Sequence, residues 1–226
     1  PVVMVARNCM LPKTPQKARP KYPSCPEPML AKEMTIVVSV KDACSQAPGF
    51  IRGLEKFAPP GVHLIYTYPD FESCRSIDLK EILARWDKVT VLPLPLRSSP
   101  MQGWVDAVPH IKTKYSMLLH NDGYALDPHF ACELVGALEA RDSTYVVAAP
   151  MLYESKADGS LAAHATQTKL RWQDGYVRHD HSIARALNRG RDFPEGDQTD
   201  FLEDHGFVVR TSAIGDLVDP RAAYTL

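Results

Sequence analysis

The sequence predicts an α/β fold: a doubly wound, mostly parallel, Rossmann-like sheet with helices on both faces and an irregular polar second part. Three observations predict it. Short β-branched apolar runs recur along the chain, segments of helical periodicity separate them, and polar residues gather where each run ends. A continuous apolar run marks a strand buried on both faces, and strands alternating with helices make parallel βαβ units.

The elements follow in order. Thr35-Ile36-Val37-Val38-Ser39-Val40 is the first strand. Phe50, Ile51, Leu54 and Phe57 then fall at helical spacing, closed by the breaker Pro59-Pro60-Gly61. Val62 to Tyr68 reads as a second strand that ends at Pro69-Asp70. Leu79 to Trp86 predicts a helix, Lys88 to Leu94 a third strand, Met101 to His110 a helix, and Tyr115 to Leu119 a fourth strand. Pro128 suits the first turn of an amphipathic helix that runs to Ala140 with Phe130, Leu134 and Leu138 on one face. Tyr145 to Pro150 is a fifth strand. Residues 155 to 200, polar and rich in His and Arg, are expected to form a long excursion beside the site. Phe207 to Arg210 restores a strand, and Thr211 to Leu217 a short helix. Right-handed crossovers place the strands' carboxyl ends on one rim, where ligands bind in such sheets. Lys41-Asp42, Asp70, Arg97-Ser98-Ser99 and His120-Asn121-Asp122 all fall there.

Composition narrows the function. With 226 residues, 45% apolar, 23% charged and a net charge of −1, the chain has the make-up of an ordinary globular domain. That balance argues against a nucleic-acid partner held broadly by phosphate contacts, which needs an excess of Lys and Arg. No run approaches the roughly 18 to 20 apolar residues of a membrane span. The five cysteines are widely spaced and contain no C-x-x-C pair, which argues against a zinc knuckle or a dense disulfide scaffold. The compartment, a Golgi or ER lumen or the cytoplasm, stays open. The first thirty residues hold seven of the nineteen prolines and five basic residues against one acid, Glu27. Proline fixes φ and removes a backbone donor, so residues 1–30 are expected to be an extended arm and residues 31–226 the domain.

Absent motifs exclude several chemistries. There is no G-x-G-x-x-G for a dinucleotide, no G-x-x-x-x-G-K-[ST] for a P-loop, and no G-x-S-x-G elbow for a serine hydrolase. Folds that bind nucleotides through carboxylates and a metal remain. Leu118-Leu119-His120-Asn121-Asp122-Gly123 is the most informative segment, since an apolar strand running into His, Asn and Asp puts ligands at its carboxyl end. Asn-Asp-Gly is equally a turn sequence. His179-Asp180-His181 with Asp204 and His205 reads either as solvated loop histidines or as a metal site of hydrolase type, and the spacing fits no established ligand pattern. A milder form of that site makes one of these histidines a third ligand to a nucleotide metal.

From Met34 to Leu226 the chain resembles a family 2-like glycosyltransferase with the GT-A fold. Thr113-Lys114-Tyr115-Ser116-Met117-Leu118-Leu119-His120-Asn121-Asp122 is similar to the family's T-x-Y strand ending in D-x-D, and Asp127-Pro128 opens the next helix. Gly206 to Leu217 is similar to its G-x-F-x-x-R-x-S segment. The resemblance implies transfer of a sugar from a UDP- or GDP-sugar to a glycan, protein or lipid acceptor. It implies Mn²⁺ or Mg²⁺ near the diphosphate, with Asp122 and His120 as ligands. His120 stands where the family has its first aspartate. Asp42 and Asp70 match positions near the base and ribose, Arg97 the pyrophosphate, and Asn121 the donor side. The family's catalytic base is commonly an E-D pair after the G-x-F-x-x-R strand. Glu203-Asp204 precedes that strand, so the base is expected past Leu226, with Glu203 and Asp204 the candidates inside the sequence. The alternative is a non-catalytic GT-A-like binding module.

Overall fold

The structure, a computed structural model, describes residues 2–5, 30, 32–40, 43–58, 60–96, 98–125, 129–164, 167–180, 182–189, 201–202 and 205–217. The first half holds β1 (Val2–Val5), β2 (Met34–Ser39), α1 (Ala47–Leu54), β3 (His63–Pro69), α2 (Glu72–Arg75), α3 (Leu79–Leu83), β4 (Lys88–Leu94) and α4 (Pro100–Ala107). Then come β5 (Tyr115–His120), β6 (Gly123–Ala125), α5 (Phe130–Glu139), β7 (Val147–Ala148), β8 (Met151–Ser155) and β9 (Leu161–Ala163). The last described elements are β10 (Gln167–Gln173), β11 (Tyr176–Asp180), α6 (Ser182–Asn188), β12 (Phe201–Leu202), β13 (Gly206–Arg210) and α7 (Ile214–Leu217).

Six strands make the central sheet in the order β4-β3-β2-β5-β13-β7. β4, β3, β2 and β5 are parallel neighbours, and β13 runs antiparallel between β5 and β7. The fold is therefore α/β with a mostly parallel sheet. Alternation decides which helix each side chain meets. Ile36, Val38, Leu64, Tyr66, Met117 and Leu119 face α1 and α5, whereas Val37, Ile65, Leu118 and Val209 face α4. Burial on both faces is why these strands lack a polar alternation.

α4 packs tightly on the sheet at Gly103, and its sequence explains why. Ser99 caps it by accepting from the Gln102 N–H at 3.1 Å, and Pro100 occupies its first turn. Ser39 Oγ donates to the Pro100 carbonyl at 3.0 Å, and Thr67 Oγ1 donates to Ser39 Oγ at 2.9 Å. These buried hydroxyls need room directly beneath Gly103, where an added Cβ would stand 2.3 Å from Thr67 Oγ1 and 2.4 Å from Ser39 Oγ. The glycine is there for close approach.

Several expectations change in detail. The fifth strand shrinks from Tyr145–Pro150 to Val147–Ala148, and Arg210 binds the carbonyls that precede it. Its Nε donates to Tyr145 O at 3.1 Å and its backbone N–H to Val146 O at 2.9 Å. Another Arg210 nitrogen donates to Leu138 O at 2.8 Å, satisfying a carbonyl at the end of α5. The polar second part is more regular than its composition suggests, holding β8–β9, β10–β11 and α6. Asp174 (φ 54°) and Gly175 (φ 80°) make the two-residue turn of the β10–β11 hairpin, the type I′ geometry that suits strand twist. In the expected leader arm, Val2–Val5 is extended yet paired, parallel to β6 and antiparallel to β8. Leu30 is buried in the core. The other leader residues, save those given above, lie outside the described residues. Cys44 and Cys74 form a disulfide with Cα atoms 5.1 Å apart, joining the segment after β2 to α2.

Candidate metal centre

β5 carries its apolar side chains, Met117 to Leu119, into the sheet interior and then delivers His120, Asn121 and Asp122 to the carboxyl rim. His120 continues the face of Leu118 and so points toward α4. There its ring stacks on Trp104, centroids 5.5 Å apart and planes 25° apart. Trp104 meets Phe207 edge-on from the other side, at 5.5 Å. His120 is thus a buried side chain, 1% exposed, walled by aromatic rings.

The antiparallel return of β13 completes the cluster. Gly206 pairs with Leu119, so the residue before it, His205, arrives beside His120. The His120 N–H donates to the His205 carbonyl at 3.4 Å, and the two rings meet at 81° with centroids 5.8 Å apart. His120, Asp122 and His205 each offer one ligand atom, and these atoms lie within 4.8 Å of one another. Asp122 Oδ1 is buried without a hydrogen-bond partner among the described residues, a position a cation would satisfy. Two imidazoles and one carboxylate fit a divalent transition ion such as Mn²⁺ better than Mg²⁺, which favours oxygen ligands. Beyond them, His164 approaches His205 at 5.5 Å and its Nδ1 pairs with Glu154, a neighbour that fixes the ring.

The other expected site residues divide. Asn121 is 2% exposed, and its Nδ2 donates to the Ala43 carbonyl at 2.7 Å. It ties the loop after β2 to the end of β5. Asp70 follows β3 on the same rim, its N–H donating to Leu94 O at 3.0 Å and its carboxylate 3.5 Å from Arg75 Nε. Asp42, Arg97, Glu203 and Asp204 lie outside the described residues. Of the second histidine cluster, His205 joins the β5 residues; His181 lies outside the described residues. Trp104 escaped the sequence reading, although a Gly-Trp pair on a helix over the first strands is the signal for a ring held against the sheet.

No protein-family model and no curated protein matches the chain. Among solved structures, it is similar to a mannosyltransferase of Pyrobaculum calidifontis in complex with GDP-Man and Mn²⁺, with a TM-score of 0.53 and 10% identity over 88% of this chain and 50% of that one. TarS residues 1–349 of S. aureus give a TM-score of 0.49 and 11% identity over 82% of this chain and 49% of that one. The CTP complex of CMP:2-keto-3-deoxy-manno-octonic acid synthetase gives 0.45 and 11% identity over 82% and 77%. The likeness shows the fold, a mostly parallel α/β sheet, and this chain carries a cluster of candidate metal ligands at the sheet's carboxyl rim. Within that fold class, the chain is GT-A-like. It spans about half the length of the first two proteins.

Proposed function

We propose that this chain binds a nucleotide sugar across the rim and transfers the sugar to an acceptor hydroxyl. The observation that carries the reading is the gathering of His120, Asp122 and His205 where β5 ends, in a GT-A-like sheet. Those three residues would hold a divalent ion, Mn²⁺ by their chemistry, and the ion would offset the charge of the donor diphosphate. Asp70 and Asp42 accept hydrogen bonds from base and ribose, and Arg97 donates to the pyrophosphate. Asn121 contributes on the donor side by holding the loop after β2 in place. In an inverting displacement the acceptor oxygen attacks the anomeric carbon. Its proton passes to a carboxylate, and the nucleoside diphosphate leaves with the electrons of the broken bond. Glu203 and Asp204, immediately before His205, are the candidates for that carboxylate inside the sequence, although they precede β13 where the resemblance puts the base after it.

Calorimetry with UDP and GDP tests the reading. Binding should tighten by about tenfold or more with Mn²⁺ relative to EDTA, and Asp122→Ala or His205→Ala should erase the difference. Equal affinity with and without metal removes these residues as ligands. Nucleotide binding without transfer or hydrolysis of any donor assigns the non-catalytic binding module instead.

A further inference from the structure

The β10–β11 hairpin carries side chains that the donor site does not use. Every residue from Trp172 to Arg178 is exposed, so both faces of the ribbon end are uncovered among the described residues. Trp172 is 79% exposed, Tyr176 70% and Val177 47%. Trp172 and Val177 are cross-strand partners and share one face, while Gln173 and Tyr176 share the other. Solvent is a poor place for this tip, since an indole, a phenol ring and a β-branched side chain together forfeit several burials. The surrounding charge is equally distinctive. From Gln167 to Arg189 the sequence holds Lys169, Arg171, Arg178, Arg185 and Arg189 against Asp174 and Asp180, three net positive charges in a chain whose total is −1.

We propose that this hairpin docks the protein on an anionic lipid surface, with Trp172, Tyr176 and Val177 entering the headgroup region and the basic residues attracted to acidic lipids. Trp and Tyr favour the membrane interface because each has an apolar body and one polar atom. The excess of cations supplies long-range attraction, while shallow burial of the tip supplies the anchor. A sugar ligand fits less well: Val177 offers no hydrogen bond, and an exposed ribbon end provides no cleft. Geometry connects the hairpin to the rim. β10 pairs at its other end with β12, Thr168 opposite Phe201, and β12 ends three residues before His205. At about 3.4 Å per residue, the turn lies roughly 20 Å along the strand from Thr168. Docking would therefore hold the rim near the surface. The proposal does not depend on the donor chemistry.

Sedimentation of the whole chain with vesicles tests it. The protein should bind phosphatidylcholine vesicles containing about a third phosphatidylserine, not phosphatidylcholine alone, and should dissociate as salt rises. Trp172 is the exposed tryptophan, so its emission should shift to the blue on binding, and Trp172→Phe should abolish the shift. Trp172→Ser with Tyr176→Ser should weaken binding by about tenfold or more, and Arg178→Glu by about fivefold or more. These variants should keep the Tm of the unaltered chain, which shows that they fold. The proposal is overturned if no vesicle binds, if the variants bind as the unaltered chain does, or if Trp172 emission answers only to soluble oligosaccharides.

Discussion

Replacing Gly103 by alanine tests how α4 is seated, because the obstacle is already measurable. The new Cβ would lie 2.3 Å from Thr67 Oγ1 and 2.4 Å from Ser39 Oγ, and 3.2 Å from Leu94 Cδ1. Ordinary contact begins near 3.4 Å, so the helix must retreat by about 1 Å. Neither hydroxyl can swing aside cheaply, since Thr67 donates to Ser39 and Ser39 to the Pro100 carbonyl. Overpacking of this kind costs about 1–3 kcal/mol, and alanine returns about 0.5–1 kcal/mol through helix propensity. The net loss is about 1–2 kcal/mol, a fall in Tm of roughly 2–8 °C for a chain of this length. Thermal unfolding by circular dichroism reads it directly. Adding Ser39→Ala and Thr67→Ala should recover part of the loss, giving a favourable coupling with Gly103→Ala. Because Trp104 moves with the helix, the Mn²⁺-dependent nucleotide binding proposed above should weaken in Gly103→Ala as well. An unchanged or raised Tm would refute the close-approach account, as would strict additivity of the three substitutions.

Two further outcomes follow from the packing around the sheet. Burial works against a charged Glu139, but Lys114 at 3.1 Å and Arg210 at 3.2 Å outweigh it and hold its pKa below the ordinary carboxylate value. Stability from a depressed carboxylate is present above the unfolded pKa and lost as pH falls through the folded one. Glu139→Gln should therefore reduce stability at pH 7 by about 1 kcal/mol or less, because the pairs are exposed, and the difference should vanish well below pH 4 in a pH series of melts. The Cys44–Cys74 disulfide closes a separation of 30 residues, so reductant or Cys44→Ser should cost about 3–4 kcal/mol, roughly 10 °C in the same assay.

The central sheet was legible because its strands are buried on both faces. Lys88–Leu94 is the third strand with the ends the sequence suggests, and Tyr115–His120 extends the fourth by one residue. Helices come out shorter at their carboxyl ends, as at α1, which stops at Leu54 instead of Phe57 although Phe57 still packs on the core. Residues 155 to 180 were hidden because the segment is largely polar, and the short alternation of Leu170 and Trp172 was too brief to mark a strand. Asp174-Gly175 was the available signal. At the rim, His120 and Asp122 could be read because a strand runs straight into them. His205 depends on the register of β13 against β5, a pairing across 85 residues that no local pattern encodes. Asn-Asp-Gly forms a turn into β6, and the Asp122 carboxylate lies near the histidines at the same point.

The return of β13 antiparallel to β5 has an evolutionary consequence. After β8, the described elements β9, β10, β11, α6 and β12 all lie outside the six-stranded sheet, and the chain comes back to the rim where the His120 N–H meets the His205 carbonyl. Such a segment behaves as an interchangeable cassette with both ends clamped. Doubling a flexible closed loop costs only about 0.6 kcal/mol, so large insertions or replacements there leave the ligand triad in place. Lineages sharing this sheet can diversify what they dock against by rewriting the cassette, with no change to the strands that build the rim.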